Sequence, residues 1–440
     1  MTTQHQATSQ HQAETQRQAQ SGSRTTSLPM PPRAGRARVA VTWRLLEQVA
    51  RRVPVDLVLP DGSLLGREPG AHPGADRPQA EILRPDALLD RMASEPKMAF
   101  GEGYMAGDWR PAAGTDLAAV LLPFAQRQSA LLPAGLSRLR RLVSTRTPSA
   151  QRNSPSGARR NIAAHYDLSN DLFAAFLDET MTYSSARFDD DRPWGEQTLA
   201  EAQLNKVNSI LDMAGVREGS RVLEIGTGWG TLAIEAARRR AHVTTLTLSA
   251  EQAAVAAQRV AAAGLSDRVE IRLQDYREVE GTFDAVVSVE MIEAVGEEFW
   301  PVYFGVLDKR LAPGGVAAIQ AILVPHARLL ATRDSYSWVQ KHIFPGGIVP
   351  SMRAIEETAA QHTDLRVVAV ERFGRHYAET LRRWRATFND YWDEIEGYGF
   401  DETFRRMWEY YLAGAEAGFD ADYLDVAQIR LVRPEQAGAA

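Results

Sequence analysis

The sequence of 440 residues contains no cysteine. This absence excludes disulfides, thiolate metal sites, iron–sulfur clusters and cysteine nucleophiles. No apolar run approaches the roughly 18 residues that a membrane-spanning helix needs, and no apolar segment of a secretory signal follows the start of the chain. The nine histidines show no metal-ligand spacing, and nucleophile-elbow and phosphate-loop motifs are missing. The sequence therefore predicts a protein without a membrane span and without a metal.

The overall composition is that of an ordinary globular enzyme. Hydrophobic residues make up 44% and charged residues 24%, with a formal net charge of -6, which gives no indication of nucleic-acid binding. At about 150 residues per domain, this length favours two or three folded units. Residues 1–38 are rich in Gln, Ser and Thr and predict a disordered tail. Apolar runs separated by turn sequences then predict a small mixed α/β domain over residues 39–143.

One basic segment differs from the acidic remainder of the chain. Eight arginines, from Arg127 to Arg160, and no acidic residue lie between Asp116 and Asp167. Residues 144–158 are also rich in Ser, Pro and Asn, which is typical of a linker. A solvated basic linker is one interpretation, and attraction to anionic lipid headgroups, at about 1 kcal/mol per basic residue, is the other. A nucleic-acid interface is disfavoured because no aromatic stacking residues accompany the arginines.

From about residue 200 the hydrophobic pattern alternates between helix and strand. Strands are predicted at 221–225, 243–248, 269–273, 283–289 and 315–323, with helices at 199–213, 231–240, 250–263 and 300–311. Strands separated by helices of this length imply right-handed crossovers and a doubly wound, mostly parallel sheet. Ligands of such sheets bind at the carboxyl ends of the strands.

A glycine-rich turn follows the first of these strands. It begins at Glu224 and contains Gly226, Gly228 and Gly230, which allow close approach of a ligand to the backbone. Nicotinamide, flavin and S-adenosylmethionine binders all use such turns. A dinucleotide site requires a later third glycine and an acidic residue after the second strand.

The residues that follow the second and third strands favour S-adenosylmethionine over a dinucleotide. The second strand ends in Thr247, Leu248 and Ser249, with no carboxylate for a ribose. Asp275 and Tyr276 come directly after the third strand. We expect this pair to cover an adenine ring.

Several further segments occur together in this chain. They read FGEGYMAGDW at 100–109, HYDLSNDLF at 165–173, MTYS at 181–184, VLEIGTGWG at 222–230, LTLSAEQ at 246–252, QDYR at 274–277, KHIFP at 341–345 and FGRHY at 373–377. In these segments the sequence resembles the cyclopropane-fatty-acyl-phospholipid synthase family of S-adenosylmethionine-dependent methyltransferases, which includes the mycolic acid cyclopropane synthases. The resemblance covers residues from about 160 to 433, and the segment at 100–109 extends it to the amino-terminal domain.

The resemblance implies a fold, a cofactor and a set of site residues. It implies a Rossmann-like class I methyltransferase domain at 159–436 with a helical carboxyl-terminal cover, and a lipid-access domain at 39–143. The expected S-adenosylmethionine site consists of Tyr183, Ser184, Glu224, Gly226, Gly228, Gly230, Thr247, Leu248, Ser249, Gln252, Asp275 and Tyr276. In the family, the positions of Glu293, Ile322 and Tyr377 line the active site and hold a bicarbonate ion that accepts the proton.

Three departures from the family pattern fall in this site. Ser185 stands where the synthases usually carry cysteine, Gln320 replaces a histidine, and Glu290 replaces the glycine of a Ser-Val-Gly-Met-Phe-Glu-His segment. We hypothesise that the Glu290 side chain supplies the base that bicarbonate supplies elsewhere, so bicarbonate is not assigned as a cofactor here. The alternative is a solvated or helix-capping carboxylate.

A changed base has a consequence for the product. Deprotonation of the first carbocation closes a cyclopropane ring, whereas a hydride shift before deprotonation gives an exocyclic methylene. The substitutions resemble those of actinobacterial relatives that make methylene-branched acyl phospholipids, which a flavin-dependent reductase partner converts to methyl branches such as 10-methylstearate. We favour this function over cyclopropanation and over a non-catalytic lipid-binding subunit. The expected protein is a cytoplasmic homo-oligomer, peripheral at the inner face of the membrane.

Two other features have competing interpretations. Trp384, Phe388 and Trp392 recur every four residues, and Phe404, Trp408 and Tyr411 continue the pattern. Such stripes are typical of helix-packing core, with an apolar wall for the acyl chain as the alternative. His165 is expected to be a hydrogen-bonded structural residue and not a catalyst.

Overall fold

The computed structural model describes residues 30–68, 70–74, 76–127, 151–154 and 169–434, and the single residues 28, 148 and 157. Most of the tail expected at 1–38, most of the basic segment and His165 lie outside these residues. Among the described residues, no helix combines the length and the apolar character that crossing a bilayer requires.

The amino-terminal part is a small mixed α/β unit, as predicted. Its elements are α1 (Arg36–Arg52), β1 (Asp56–Val58), β2 (Gln79–Ile82), α2 (Pro85–Ser94), α3 (Ala99–Ala106), β3 (Trp109–Pro111) and α4 (Leu117–Arg127). The strands form one sheet in the order β1-β2-β3. Trp109 is fully buried, and its ring stacks on Phe100 with centroids 4.2 Å apart.

The larger part is built on a seven-stranded sheet. Its strands are β4 (Arg221–Ile225), β5 (His242–Thr247), β6 (Val269–Leu273), β7 (Phe283–Val289), β8 (Leu311–Leu323), β9 (Arg366–Arg372) and β10 (Asp425–Val432). Their order is β6-β5-β4-β7-β8-β10-β9. The first five run parallel, whereas β10 is antiparallel to both of its neighbours. The predicted doubly wound, mostly parallel sheet is therefore confirmed.

Helices flank the sheet and cover its ends. They are α5 (Asn170–Phe176), α6 (Leu199–Met213), α7 (Thr231–Arg238), α8 (Ala250–Ala262), α9 (Ile292–Val295), α10 (Trp300–Arg310), α11 (His326–Thr332), α12 (Trp338–His342), α13 (Met352–His362), α14 (Gly374–Asp390), α15 (Trp392–Gly397) and α16 (Glu402–Asp420). A capping box between Thr198 and Glu201 starts α6, because each side chain satisfies a backbone N–H that would otherwise lack a partner.

The carboxyl-terminal helices α14 and α16 form the predicted helical cover. The predicted aromatic stripe is buried in one apolar cluster, with Trp384, Phe388 and Trp408 showing no exposed surface. The helix-packing interpretation is thus confirmed. Helix α16 also reaches the amino-terminal unit, because Ala413 and Ala417 belong to that unit's core. One helix therefore contributes to both cores.

A partly buried ionic cluster joins the two parts at α12. Glu102 of α3 accepts hydrogen bonds from Lys341 Nζ at 2.7 Å and pairs with His342 Nε2 at 3.1 Å. Burial alone would raise the pKa of Glu102, but the hydrogen bonds from His342 and Lys341 lower it to about 2. The carboxylate thus stays ionised, so the cluster joins the amino-terminal unit to the sheet domain with charge-assisted bonds.

Candidate active site

A cavity opens where β4, β5 and β7 end. Most of the expected cofactor residues line it, and they come from four separate segments of the chain. The lining includes Tyr183, Ser184, Glu224, Gly226, Gly228, Thr247, Leu248, Gln252, Asp275 and Tyr276, together with Glu290. This position matches the carboxyl-end rule for parallel sheets.

Two glycines of the turn, Gly226 and Gly230, are packed closely against neighbouring side chains, whereas Gly228 has open space around it. Gly226 has φ +99°, and a Cβ atom at this residue would lie 2.8 Å from Met291 Cγ. Gly230, with φ +92°, is the N-cap residue that directly precedes α7, and its Cβ would lie 3.1 Å from Ala256 Cβ. The bare backbone of Gly226 therefore forms part of the cavity wall, as close approach of a ligand requires.

We expect Gly226→Ala to weaken S-adenosylhomocysteine binding by about tenfold or more, because a strained φ and a displaced Met291 distort the cavity. Isothermal titration calorimetry measures this effect. Gly264→Ala is the matched control, since Gly264 also has a positive φ, +70°, but no atom lies within 4 Å of the position that an added methyl group would take. Equal loss of affinity in both variants would contradict the prediction.

One turn of α6 holds the Tyr183–Ser184 segment against the cavity. Gln203 Nε2 donates to the carbonyl oxygens of Thr182 at 3.2 Å and Ser184 at 2.9 Å. Lys206 Nζ donates to Ser184 Oγ at 2.6 Å. The Tyr183 hydroxyl lies 3.0 Å from the hydroxyl of Tyr411 on α16. The helical spacing of Gln203 and Lys206 places both side chains on the face toward this segment.

At the opposite end of the cavity, the Asp275–Tyr276 pair is fixed by Arg277. The Arg277 guanidinium donates to both Asp275 oxygens, at 2.8 and 2.6 Å, and lies 5.5 Å from the centroid of the Tyr276 ring. It also donates to the backbone oxygen of Asn153, which lines the cavity. Residues from the predicted linker therefore contact this end of the site.

The acidic residue of the glycine turn, Glu224, is buried beside the cavity. Burial raises the pKa of Glu224 to about 8, against the lowering effects of the Thr245 hydrogen bond and the Lys206 charge. Glu224 Oε2 has no hydrogen-bond partner among the described residues. A buried acceptor of this kind fits the ammonium group of S-adenosylmethionine. Together with the bare Gly226 backbone, it shows that the residues present fit this cofactor.

Two expected cofactor residues do not line the cavity. Gly230 precedes α7, and Ser249 begins α8 by accepting a hydrogen bond from the backbone N–H of Gln252 at 3.2 Å. Ser249 also donates to Glu251. Both residues therefore shape the helix starts beside the cavity, while Thr247 and Gln252 lie in its wall.

Glu290 lies directly after β7 with three hydrogen-bond donors around its carboxylate. Oε1 accepts from the backbone N–H of Ser185 at 2.9 Å and from Gln320 Nε2 at 2.8 Å, and Oε2 accepts from the Tyr377 hydroxyl at 2.7 Å. Its backbone has φ +50°, a left-handed conformation that is unusual for a residue with a side chain. The carboxylate is therefore held in the cavity wall and does not cap a helix.

The environment of Glu290 makes its carboxyl group a stronger base than an exposed glutamate. Burial raises its pKa, while the bonds from Tyr377, Ser185 and Gln320 act in the opposite direction. The proton affinity of this carboxyl group is thus higher than that of an exposed glutamate. The Ser185 hydroxyl does not take part, since it donates to the carbonyl oxygen of Ala186 at 2.9 Å.

The orientation of Gln320 is set by a neighbouring strand. Gln428 of β10 faces Gln320 of β8 in the sheet and donates to Gln320 Oε1 at 3.2 Å. Gln428 Oε1 in turn accepts from the Ser209 hydroxyl at 2.8 Å. With its oxygen occupied in this way, Gln320 presents its N–H group to Glu290.

Glu293 and Ile322 form a second contact beside the base. Glu293 Oε1 accepts from the backbone N–H of Ile322, and Glu293 Oε2 is buried without a partner in the described part of the chain. Burial first, and then the charge of Glu290, raise the pKa of Glu293 to about 8. Glu293 is therefore mostly neutral at pH 7, which avoids repulsion between two carboxylates.

This raised pKa predicts a pH-dependent stability. Between about pH 4.5 and 8 the folded state keeps a proton on Glu293 that the unfolded chain has lost, so stability falls as pH rises, by at most about 1.4 kcal/mol per pH unit. We expect Glu293→Gln to flatten the pH dependence of the urea unfolding midpoint over this range. Glu396→Gln, at an exposed site, should leave the dependence unchanged. An unaltered slope in Glu293→Gln would refute the assignment.

The sequence did not indicate every residue of the site. Lys206, Asn153 and Met291 also line the cavity. The position of Lys206 on the buried side of α6 could have been predicted from the sequence. It follows Gln203 by about one helical turn and precedes the apolar Val207. The position of Asn153 at the cavity could not have been predicted, because this residue lies in a segment with the composition of a linker.

The chain matches the sequence family described as mycolic acid cyclopropane synthetase over residues 153–429. It is 52% identical over 402 residues to tuberculostearic acid methyltransferase UfaA1 of Mycobacterium tuberculosis (strain ATCC 25618 / H37Rv), covering 90% of this chain and 92% of that protein. It is 33% identical over 379 residues to the cyclopropane-fatty-acyl-phospholipid synthase of Escherichia coli (strain K12), covering 85% of this chain and 93% of that protein.

Solved structures show the same fold. The crystal structure of mycolic acid cyclopropane synthase CmaA1 complexed with SAH and CTAB has a TM-score of 0.57 and 30% sequence identity, covering 62% of this chain and 97% of that chain. Coclaurine N-methyltransferase bound to N-methylheliamine and SAH has a TM-score of 0.56 at 18% identity, covering 76% of this chain and 98% of that chain. The second likeness concerns the fold alone.

Proposed function

The chain belongs to the mycolic acid cyclopropane synthetase family, and we propose that it transfers a methyl-derived carbon to the cis double bond of an unsaturated acyl chain on a membrane phospholipid. It is an S-adenosylmethionine-dependent methyltransferase with a Rossmann-like catalytic domain. The proposed product is a methylene-branched acyl chain. The observation that carries this proposal is the Glu290 carboxylate, held by three donors in the wall of the cofactor cavity.

The reaction requires a base beside an apolar surface. S-adenosylmethionine supplies an electrophilic methyl group on its sulfur. The π electron pair of the alkene forms the new C–C bond as the C–S bond breaks onto sulfur, leaving a carbocation on the acyl chain. A hydride shift moves the cation to the methylated carbon. Loss of a proton from the methyl group to Glu290 then gives the exocyclic methylene, so atoms and charge balance.

The residues around Glu290 are suited to these reaction steps. The rings of Tyr183, Trp384 and Tyr377 lie in succession, with centroids 5.2 and 6.2 Å apart. Aromatic faces stabilise a cation and exclude water that would otherwise trap it. Tyr377 also donates to Glu290. We therefore assign Glu290 as the catalytic base and Ser185, Gln320 and Tyr377 as the groups that position it.

Product analysis tests the proposal. Purified protein is incubated with S-adenosylmethionine and vesicles of oleoyl phospholipid, followed by gas chromatography with mass spectrometry of the acyl methyl esters. We expect S-adenosylhomocysteine together with a methylene-branched ester. A cyclopropane ester alone would support the second candidate, cyclopropanation, which the similarity to the Escherichia coli synthase favours. Absence of S-adenosylhomocysteine would indicate a non-catalytic lipid-binding subunit.

The membrane contact and the partners are further parts of the proposal. We assign the surface that binds anionic headgroups to the arginines from Arg127 to Arg160, and place the protein at the inner face of the cell membrane. Within this segment Arg152 pairs with Glu298, so the other arginines carry the assignment. Stronger co-sedimentation with phosphatidylglycerol than with phosphatidylcholine vesicles is expected. A flavin-dependent reductase and a second copy of the chain are the proposed protein partners.

A further inference from the structure

A row of polar side chains crosses the apolar sheet on one of its faces. Gln320 of β8 lies directly opposite Gln428 of β10, which lies directly opposite Glu371 of β9. Residues that face each other on antiparallel strands point to the same face of the sheet, so these three side chains form one line that ends at the sheet edge. The two glutamines are buried, at 1% and 0% exposure. Burying an amide is unfavourable unless its hydrogen bonds are made, so the partners of this row indicate its role.

A chain of hydrogen bonds connects the row to an arginine at the surface. The Arg187 side chain is 32% exposed, and its Nη1 donates to the Glu371 carboxylate at 2.6 Å and to Ser209 Oγ. Ser209 Oγ donates to Gln428 Oε1 at 2.8 Å, and Gln428 Nε2 donates to Gln320 Oε1 at 3.2 Å. Gln320 donates in turn to the carboxylate of the proposed base. The hydrogen-bond chain therefore begins at the surface and ends at the base.

Two groups that act in only one sense fix the direction of this hydrogen-bond chain. A guanidinium donates and never accepts, so the Ser209 hydroxyl accepts from Arg187 and keeps its own proton for Gln428. The backbone oxygen of Lys206 only accepts, and Gln428 Nε2 donates to it at 3.0 Å. Gln428 thus directs its oxygen toward Ser209 and its N–H groups toward Lys206 and Gln320. Every donor between Arg187 and the base consequently points toward the base.

We propose that Arg187 and Ser209 are positioning residues of the reaction, which act on Glu290 through the two buried glutamines. This inference rests on the proposed role of Glu290 as the base and adds groups outside the cavity that tune it. Hydrogen bonds in a chain polarise one another, so the guanidinium strengthens the last bond, and this bond stabilises the ionised carboxylate. Loss of Arg187 therefore raises the pH at which the base becomes ionised.

Other titratable groups also face Glu290. The Tyr377 hydroxyl donates to it, and Lys206 and Glu293 interact with it electrostatically. These three groups stay unchanged in the variants of the hydrogen-bond chain. A shift of the pH profile in those variants is therefore due to the chain itself.

The pH profile of kcat tests the proposal. The steady-state rate at which modified acyl esters form on oleoyl phospholipid vesicles, whether methylene-branched or cyclopropane, is measured across the acid limb of the profile. Arg187→Met should move this limb upward by about 0.5–1 pH unit, less than the complete loss of a hydrogen bond to a carboxylate would cause. Arg187→Lys keeps a charged donor and should restore most of the wild-type profile. Arg372→Met is the matched control, since Arg372 pairs with Asp425 at the same sheet edge, and it should leave the profile unchanged.

A double variant separates the hydrogen-bond chain from an effect of the arginine charge through space. Gln428→Leu breaks the chain, so Arg187→Met should cause no further shift in that background. Ser209→Ala breaks the chain without removing a charge and should shift the acid limb in the same direction, and it replaces Arg187→Met if that variant does not fold. An unshifted Arg187→Met, or a shift that persists in the Gln428→Leu background, would overturn the proposal.

Glu290→Gln in the same assay distinguishes failure of this inference from failure of the proposed base. An unshifted profile in Arg187→Met beside an inactive Glu290→Gln would overturn the positioning role alone. An active Glu290→Gln would overturn the base and, with it, the positioning role. Both comparisons hold whichever acyl product forms.

Discussion

Replacing Glu290 by glutamine will lower kcat by about 10²- to 10⁴-fold, the usual contribution of a general base. Glutamine has nearly the same shape, and its amide oxygen can still accept from the backbone N–H of Ser185 and from Gln320 while its NH2 group donates to the Tyr377 hydroxyl. It cannot accept a proton, so the carbocation on the acyl chain loses its base. The steady-state rate at which the methylene-branched acyl ester forms on oleoyl phospholipid vesicles, followed by gas chromatography, gives kcat.

A loss of cofactor binding must be distinguished from a loss of the base. The affinity of Glu290→Gln for S-adenosylhomocysteine should stay within about threefold of wild type, because Glu290 contacts protein donors and its neutral analogue leaves them partly satisfied. A milder change tests the surroundings of the base. Gln428→Leu removes the donor to the Gln320 oxygen, so that Gln320 can turn this oxygen toward Glu290. We expect this variant to shift the pH profile of kcat to higher pH. Turnover near the wild-type rate in Glu290→Gln would disprove the base assignment.

The three donors around Glu290 also allow chemical rescue. Glu290→Gly leaves the backbone N–H of Ser185, the amide of Gln320 and the hydroxyl of Tyr377 around an empty volume of carboxylate shape. Formate or bicarbonate added to this variant should restore part of the turnover, and chloride at equal ionic strength should not. Failure of both anions to restore turnover would mean that these donors do not form an anion site.

Replacing Trp384 by alanine will lower the free energy of unfolding by about 3–5 kcal/mol, as expected for a fully buried tryptophan. Its ring packs against Phe176, Tyr183 and Tyr377, so the loss opens a cavity among these three rings. Urea unfolding measures the change. Trp43→Ala, at a partly exposed site on α1, should cost clearly less.

The chemistry of this core allows a sharper comparison. Trp384 Nε1 has no hydrogen-bond partner among the described residues, so Trp384→Phe removes no bond and leaves a smaller cavity. We expect it to retain most of the stability that Trp384→Ala loses. A loss below about 1 kcal/mol in Trp384→Ala would contradict the packing argument, since truncation of a buried aromatic side chain normally exceeds this value.

The catalytic sheet could be predicted because its strands and helices carry strong local signals. The predicted strands at 221–225, 269–273 and 283–289 agree with β4, β6 and β7 at both ends. The strand predicted at 315–323 begins earlier, at Leu311, because a register shift lets β8 continue its pairing with β7 past Pro313 and Gly314. The local hydrophobic pattern therefore does not predict where a strand begins when pairing with a neighbouring strand determines that position.

Site residues that lie in recognisable sequence motifs could be predicted. Contacts between segments far apart in the sequence could not. The family resemblance placed Glu290, Gln320 and Tyr377 in one site. It could not show that Gln428 orients Gln320, because this contact depends on β10 lying between β8 and β9. The location of Asn153 at the cavity likewise depends on tertiary contacts with Arg277, which no local pattern encodes.

The left-handed backbone of Glu290 has a consequence for how this site could arise. Glycine adopts a φ of this sign without strain, and glycine stands at this position in the family pattern that the chain resembles. A glycine codon becomes a glutamate codon by one nucleotide change, so an ancestor with the loop already shaped could acquire a covalently attached base in one mutational step. The substitution carries a strain of about 1–2 kcal/mol. The backbone thus disfavours the residue that the proposed chemistry requires, and Glu290→Gly should relieve that strain while it removes activity.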